Sequence, residues 1–282
     1  FIIAAILMSR SGTPGTTQPP NPLEVNYTGA GLLYMGPPTT ALAGYYCVIN
    51  ATIASDGWLH TCNTTGYLLL PNGFTIPTRE CTFKPSQQAY SPPGYSVQLN
   101  AQLSNGYWVQ NTWGGAYEEK EVTTGNGENY TSIKILLEEE VWKNGLRSGI
   151  VGPSAGPCGW LVIKIQNGTA YFGYSSDGVH VDWYASYPVG NATITNTYGT
   201  ELVIGGPGNG AGVDFNNVNI VVALWYWNGT NWIPASVLPS ITSYTAEFVT
   251  HAWVYMSGNT AVITWPRPVN QTIHIEPPQF KP

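Results

Sequence analysis

The sequence predicts an all-β protein, an antiparallel β-sandwich built as one large or two packed sandwich-like halves, with an extended apolar strand at its N-terminal end. Three observations carry this expectation. Apolar and polar residues alternate with a period of two over most of the chain from Val25 onward, the spacing of a strand with one buried face. Asn-Gly or Gly-Asn pairs punctuate those runs at Asn72-Gly73, Asn167-Gly168, Asn228-Gly229 and Gly258-Asn259, and such pairs supply the positive-φ positions of tight hairpins. Aromatic residues make up 13% of the 282 residues while charged residues make up only 9%, so the polar surface must come from Asn, Thr, Ser, Gln and Gly.

The elements follow in order. Phe1–Met8 reads FIIAAILM, an unbroken apolar run too short for the roughly 20 residues of a transmembrane helix. Residues 1–10 form this apolar segment, a candidate donor strand whose assembly residues are Phe1, Ile2, Ile3, Ala4, Ala5, Ile6, Leu7 and Met8. Residues 11–24 are a Pro/Gly-rich linker, extended rather than packed. Residues 25–282 make the β region, with a candidate internal boundary in the Gly/Pro-rich stretch 148–157.

Within the β region, Val97, Leu99, Ala101 and Leu103 alternate with Ser96, Gln98, Asn100 and Gln102, which predicts a strand with one wet face. Leu161, Ile163 and Ile165 lead through Asn167-Gly168 into Ala170, Phe172 and Tyr174, which predicts a hairpin. Ile220–Trp227 is apolar on both faces and reads as an interior strand. Ile133–Lys143 fits a helix or a strand. The acidic run Glu138-Glu139-Glu140 reads as a solvated face.

Composition excludes several functions. Sixteen acidic against ten basic residues, without a basic stripe, leave no surface to neutralise phosphates, so nucleic acid is not an expected partner. No transmembrane span, metal site or cofactor is expected. Cys47, Cys62, Cys81 and Cys158 lack metal-ligand spacing and read as two disulfides. The Asn72-Gly73 hairpin brings position 62 near Cys81, which pairs Cys62 with Cys81 and leaves Cys47 for Cys158. Glycosylation sequons begin at Asn26, Asn50, Asn63, Asn129, Asn167, Asn191, Asn228 and Asn270. With the disulfides, they point to an extracellular or cell-surface protein carrying N-linked glycans. The eleven tryptophans suit sugar stacking, but core and rim packing is their commoner role in sandwiches.

Several motifs, in order, resemble the thermopsin family of secreted archaeal acid proteases and their relatives: SVQLNAQL at 96–103, YWVQN at 107–111, ELVIGGPG at 201–208, LWYWNG at 224–229 and TAE at 245–247. The resemblance implies an all-β secreted protein and raises acid proteolysis as an activity. The chain departs from the family pattern at Thr112-Trp113-Gly114-Gly115 and at Tyr244, where an Asp usually stands.

Acid proteolysis needs two carboxyl groups sharing a proton and a water. The chain has no Asp-Thr-Gly or Asp-Ser-Gly, so the pepsin arrangement is absent, and the catalytic candidates by motif are Glu201 and Glu247. Asp177, Asp182 and Asp214 lie in Gly- or aromatic-rich surroundings and suit turn-capping roles. His180 and Asp182, two apart on an expected strand, would share a face. Gly205-Gly206-Pro207-Gly208 lacks the Lys-Ser/Thr of a phosphate loop. Two functions remain. One is a structural subunit of a surface filament or layer, a homopolymer assembled by inserting Phe1–Met8 into the next copy; the other is a thermopsin-type acid endopeptidase. The first accounts for the apolar segment and its linker and is the favoured expectation.

Overall fold

The computed structural model describes residues 29–48, 66–69, 75–78, 96–123, 125, 129–156, 158–205, 212–213, 218–242, 248–249, 253–265 and 279–282. The segment Phe1–Met8, the pair Cys62 and Cys81, and the candidates Asp214 and Glu247 lie outside them. So do the sequon residues Asn26, Asn50, Asn63 and Asn270.

Among the described residues there is no helix. The strands form two large antiparallel sheets packed face to face, as the alternation predicts. One sheet is ordered β16 (Val237–Thr242), β1 (Gly29–Tyr34), β12 (Glu201–Gly205), β5 (Ser96–Gln102), β6 (Trp108–Thr123), β7 (Asn129–Trp142), β8 (Leu146–Ser154). The other runs β11 (Asp182–Pro188), β10 (Thr169–Ser175), β9 (Cys158–Gln166), β2 (Ala41–Val48), β14 (Val218–Trp227), β19 (Thr260–Trp265), β18 (Trp253–Ser257), with β15 (Trp232–Pro234) also paired to β14. Two small ladders complete the set, β3 (Gly66–Leu69) with β4 (Thr75–Thr78) and β13 (Gly212–Val213) with β17 (Phe248–Val249). The stretch 148–157 is where the chain leaves the first sheet at β8 and enters the second at β9.

The core lies between the sheets. Leu32, Leu99, Val109, Trp113 and Leu137 from the first meet Leu42, Tyr46, Leu161, Phe172 and Leu224 from the second, all fully buried. Gly44 marks how closely the sheets approach: a Cβ there would lie 2.9 Å from Leu202 Cδ1 and 3.3 Å from Leu99 Cδ1. Cys47 and Cys158 face each other in register on β2 and β9 and form the expected disulfide. A smaller apolar cluster covers the outer face of the second sheet, where Phe280 packs on Trp160, Trp225 and Trp232.

The hairpins refine the turn expectations. Asn167 and Gly168 form a two-residue turn with both φ positive, 51° and 72°. Gly258-Asn259 also joins β18 to β19 in two residues, with Gly258 alone at positive φ, 60°. The Asn228-Gly229 turn differs, because Trp227 pairs with Trp232 and four residues close the loop. Asn228 Oδ1 accepts from the Thr230 and Asn231 amides at 2.9 and 2.8 Å, so an Asx turn replaces the two-residue type. Of Ile133–Lys143 all but Lys143 is strand, in β7, and Ile220–Trp227 is an interior strand between β2 and β19.

Gly114-Gly115 lies at a bulge: the register shifts between Trp113, paired with Leu137, and Ala116, paired with Leu136. Gly114 has a φ of +84°, which an L side chain adopts only with strain.

Candidate functional site

The polar face of β5 is not the wet face its alternation predicts. Ser96 and Asn100 are buried, as are Gln110 and Thr112 on β6, Glu201 on β12 and Ser240 on β16. Register places them on one surface, the side of the first sheet turned away from the second. Glu201 lies opposite Asn100, Asn100 opposite Gln110, and Gln110 opposite Glu140. The adjacent row runs Val203, Gln98, Thr112, Glu138. Partners in a ladder share a face, so amides and hydroxyls fill the space between Glu201 at one end and the Glu138/Glu140 pair at the other, with the Cα atoms of Glu201 and Glu140 about 14 Å apart.

Several groups on this face have a specific partner. The Ser240 hydroxyl donates a short hydrogen bond to Glu201 Oε2. Gln98 Nε2 donates to Ser96 Oγ at 2.8 Å. Trp142 Nε1 donates to Glu140 Oε2 at 2.7 Å. Asn100 Oδ1 is buried without a hydrogen-bond partner, a costly state for an acceptor.

The acidic run on β7 is not the solvated face its charge suggests. Strand alternation sends Glu138 and Glu140 to the outer face and Glu139 inward, where it is fully buried. Burial, then the charges of Glu140 and Glu139, push the Glu138 carboxyl up to about 7. Burial also raises Glu139, opposed by the Ser148 hydroxyl that donates to its Oε1 in a short hydrogen bond. Glu139 Oε2 has no hydrogen-bond partner.

Behind Glu139, a polar post joins the two sheets. Asn111 Nδ2 donates to Val162 O at 3.0 Å and Gly173 O at 2.8 Å, and Asn111 Oδ1 accepts from Tyr184 OH at 2.6 Å. Asn111 and Glu139 are register partners. Burial first, and then the charges of Glu139 and Glu138, hold the Tyr184 phenol protonated far above its ordinary range.

Of the sequence candidates, Glu201 is on this surface. Asp177 caps a turn, accepting from the Val179 and His180 amides at 2.8 Å each and pairing with His180 Nδ1 at 2.7 Å. These contacts hold its carboxyl well below the usual range. The expected His180–Asp182 pair is thus replaced: β11 begins only at Asp182, so the two do not share a strand face. Glu138, Glu140, Asn111 and Tyr184 were not singled out from sequence. The available signal was three consecutive glutamates in a strand, which forces at least one of them onto the buried side.

Among the described residues no helix is long and apolar enough to cross a membrane, and no group of three or more His, Cys, Asp or Glu side chains is placed to hold a metal ion. No curated protein and no solved structure matches the chain. The motifs ELVIGGPG, LWYWNG and TAE fall within a match to the family described as Thermopsin over residues 161–252. That match spans about a third of the chain, from within β9 through β17.

Proposed function

We propose that this chain is a secreted acid endopeptidase of the thermopsin type, working with Glu138 and Glu140 as its carboxyl pair. The observation that carries the reading is the raised Glu138 carboxyl beside a second carboxyl two residues along the same strand face. A carboxyl that stays protonated up to about 7 is a general acid throughout the acidic range. Glu140, about 7 Å away along the strand, is the partner that takes a proton from water as that water adds to the peptide carbonyl. Glu138 then gives its proton to the departing amine as the C–N bond breaks. Gln110 and Thr112, buried and in register beside the pair, form the polar floor under it. Glu201 anchors the far end of the same face. The thermopsin match and the extracellular character implied by the disulfide support the reading. Cleavage of a denatured protein substrate in the acidic range by the wild type, lost in Glu138→Gln and Glu140→Gln, is the expected result. Equal cleavage by wild type and both variants rejects the pair, and no cleavage by wild type rejects the activity.

A second reading, a surface subunit assembled by strand insertion, is favoured by the free edge of the first sheet. Among the described residues β8 pairs only with β7, and it exposes Leu146, Ile150 and Val151. A long apolar edge is a template for another strand.

A further inference from the structure

A groove of about 490 Å³ lies on the outer face of the second sheet, lined in part by Thr40, Lys164, Gln166, Trp183, Trp227 and Trp232. This volume is within the range of small-ligand sites. Three indoles share its lining with aliphatic Val162 and Val181 and with the polar Thr40, Lys164 and Gln166. Trp227 and Trp232 meet edge to face with centroids 5.8 Å apart, and Lys164 Nζ sits 4.6 Å from the Trp183 ring. Flat aromatic faces edged by hydrogen-bonding groups suit a pyranose ring, which is apolar on its C–H face and polar around its edge.

Two sequons stand at the mouth of this groove. Tyr226 lies opposite Leu42, and Leu42 opposite Ile163, so β9 and β14 end at the same edge of the sheet. Their tips, Asn167-Gly168-Thr169 and Asn228-Gly229-Thr230, therefore project from one end. Gln166 precedes the first tip, and Trp227 and Trp232 bracket the second, all three lining the groove. Asn228 is exposed. Its Oδ1 is engaged by two backbone amides, which fixes the side chain and leaves Nδ2, the atom that carries a glycan, pointing away from the turn.

We propose that Asn228 carries an N-linked glycan whose inner sugars fold back and stack in this groove against Trp227, Trp232 and Trp183. A tether of one residue gives the sugar a millimolar or higher effective concentration. Weak stacking is then enough for occupancy. The inference is independent of the peptidase reading.

The test uses the full chain secreted from a host that N-glycosylates. Thr230→Ala removes the sequon but keeps Asn228 and its Asx turn, because Thr230 contributes only its amide; Thr230→Ser keeps both. Glycopeptide mass spectrometry is expected to find Asn228 occupied in wild type and Thr230→Ser and bare in Thr230→Ala. Loss of the glycan lowers Tm by about 2–4 °C, the scale of a modest packing loss in a chain this size, and raises acrylamide quenching of tryptophan fluorescence. In a Trp232→Ala background, removing the sequon has no further effect, since the stacking partner is gone. Trp183→Ala, at the exposed rim, replaces it if Trp232→Ala does not fold. An unoccupied Asn228 in wild type, an unchanged Tm and quenching in Thr230→Ala, or the same Tm loss with and without the indole overturns the proposal.

Discussion

The Ser240 hydroxyl reaches Glu201 Oε2 across an intervening strand, over a residue that has no side chain. That residue is Gly31, which lies opposite both Ser240 and Val203 in the ladder. A Cβ on Gly31 would sit 1.9 Å from the Leu202 carbonyl oxygen, a distance no contact tolerates.

Gly31→Ala is accordingly expected to destabilise the protein by about 1–3 kcal/mol or more, the cost of overpacking a rigid site. Ser240→Ala removes the donor from a buried carboxyl and costs about 1.5–3 kcal/mol. Urea denaturation midpoints measure both. Wild-type stability in Gly31→Ala would show that the strands can separate there without loss.

The Glu138 carboxyl sets a second expectation. Its folded value of about 7 lies above the ordinary 4.5, so between those pH values the folded state holds more protons than the unfolded one. Stability therefore falls as pH rises from about 4.5 to about 7 and levels off above. Glu139, raised by burial, acts in the same direction. Glu138→Gln is neutral at every pH, so its stability profile flattens across that window. Thermal melts at a series of pH values would show it. A wild-type profile that climbs from pH 4.5 to 7 contradicts the assignment.

Much of the architecture was legible in the sequence, because side-chain alternation and turn chemistry are local. The β9–β10 hairpin and the interior position of β14 follow from residues within each segment. The Cys47–Cys158 bridge followed from pairing by exclusion, and the structure shows it as a register pair. What the sequence could not show is which polar faces are covered. Ser96 and Asn100 read as solvent-facing because polar residues alternating with apolar ones usually are; their burial depends on distant parts of the chain. The Glu138–Glu140 run misled for the same reason: charge suggests water, whereas strand geometry places Glu139 between the sheets. The His180–Asp182 pair failed because the strand starts two residues later than the pattern implied. Asn111 stood in a quoted motif, yet its partners, Val162, Gly173 and Tyr184, are 51 to 73 residues away.

Asn111 is expected to be a sensitive position. Its carboxamide satisfies two buried carbonyls and the Tyr184 hydroxyl at once, and each group left unpaired costs about 1–3 kcal/mol. Asn111→Ala should therefore lose about 3 kcal/mol or more, and Tyr184→Phe much less, because it removes a donor from an acceptor that Asn111 still positions. A double-mutant cycle should give a coupling energy of about 1 kcal/mol between the two. Independent, additive effects would mean that the post does not act as a unit.

The free edge at β8 supports the last prediction. Ile150 is in register with Glu139 and so lies toward the second sheet, whereas Val151 is in register with Glu138 on the outer face. Both are exposed, at 41% and 55%, so a strand added to this edge meets apolar side chains on both of its faces. An alternating strand would match only one of them. Phe1–Met8 does not alternate, and as a strand it can cover both at once. A stable covering of such an edge removes an aggregation liability that natural sheets otherwise block with charge. Val151→Lys, which places a charge on the edge without disturbing its pairing to β7, should abolish assembly of the full-length chain while leaving a folded monomer. Deleting residues 1–8 should do the same, and adding the FIIAAILM peptide to the deleted protein should be blocked by Val151→Lys. Sedimentation velocity and electron microscopy distinguish the outcomes: filaments or oligomers that persist in either variant, or a wild-type chain that stays monomeric at high concentration, reject strand insertion at β8.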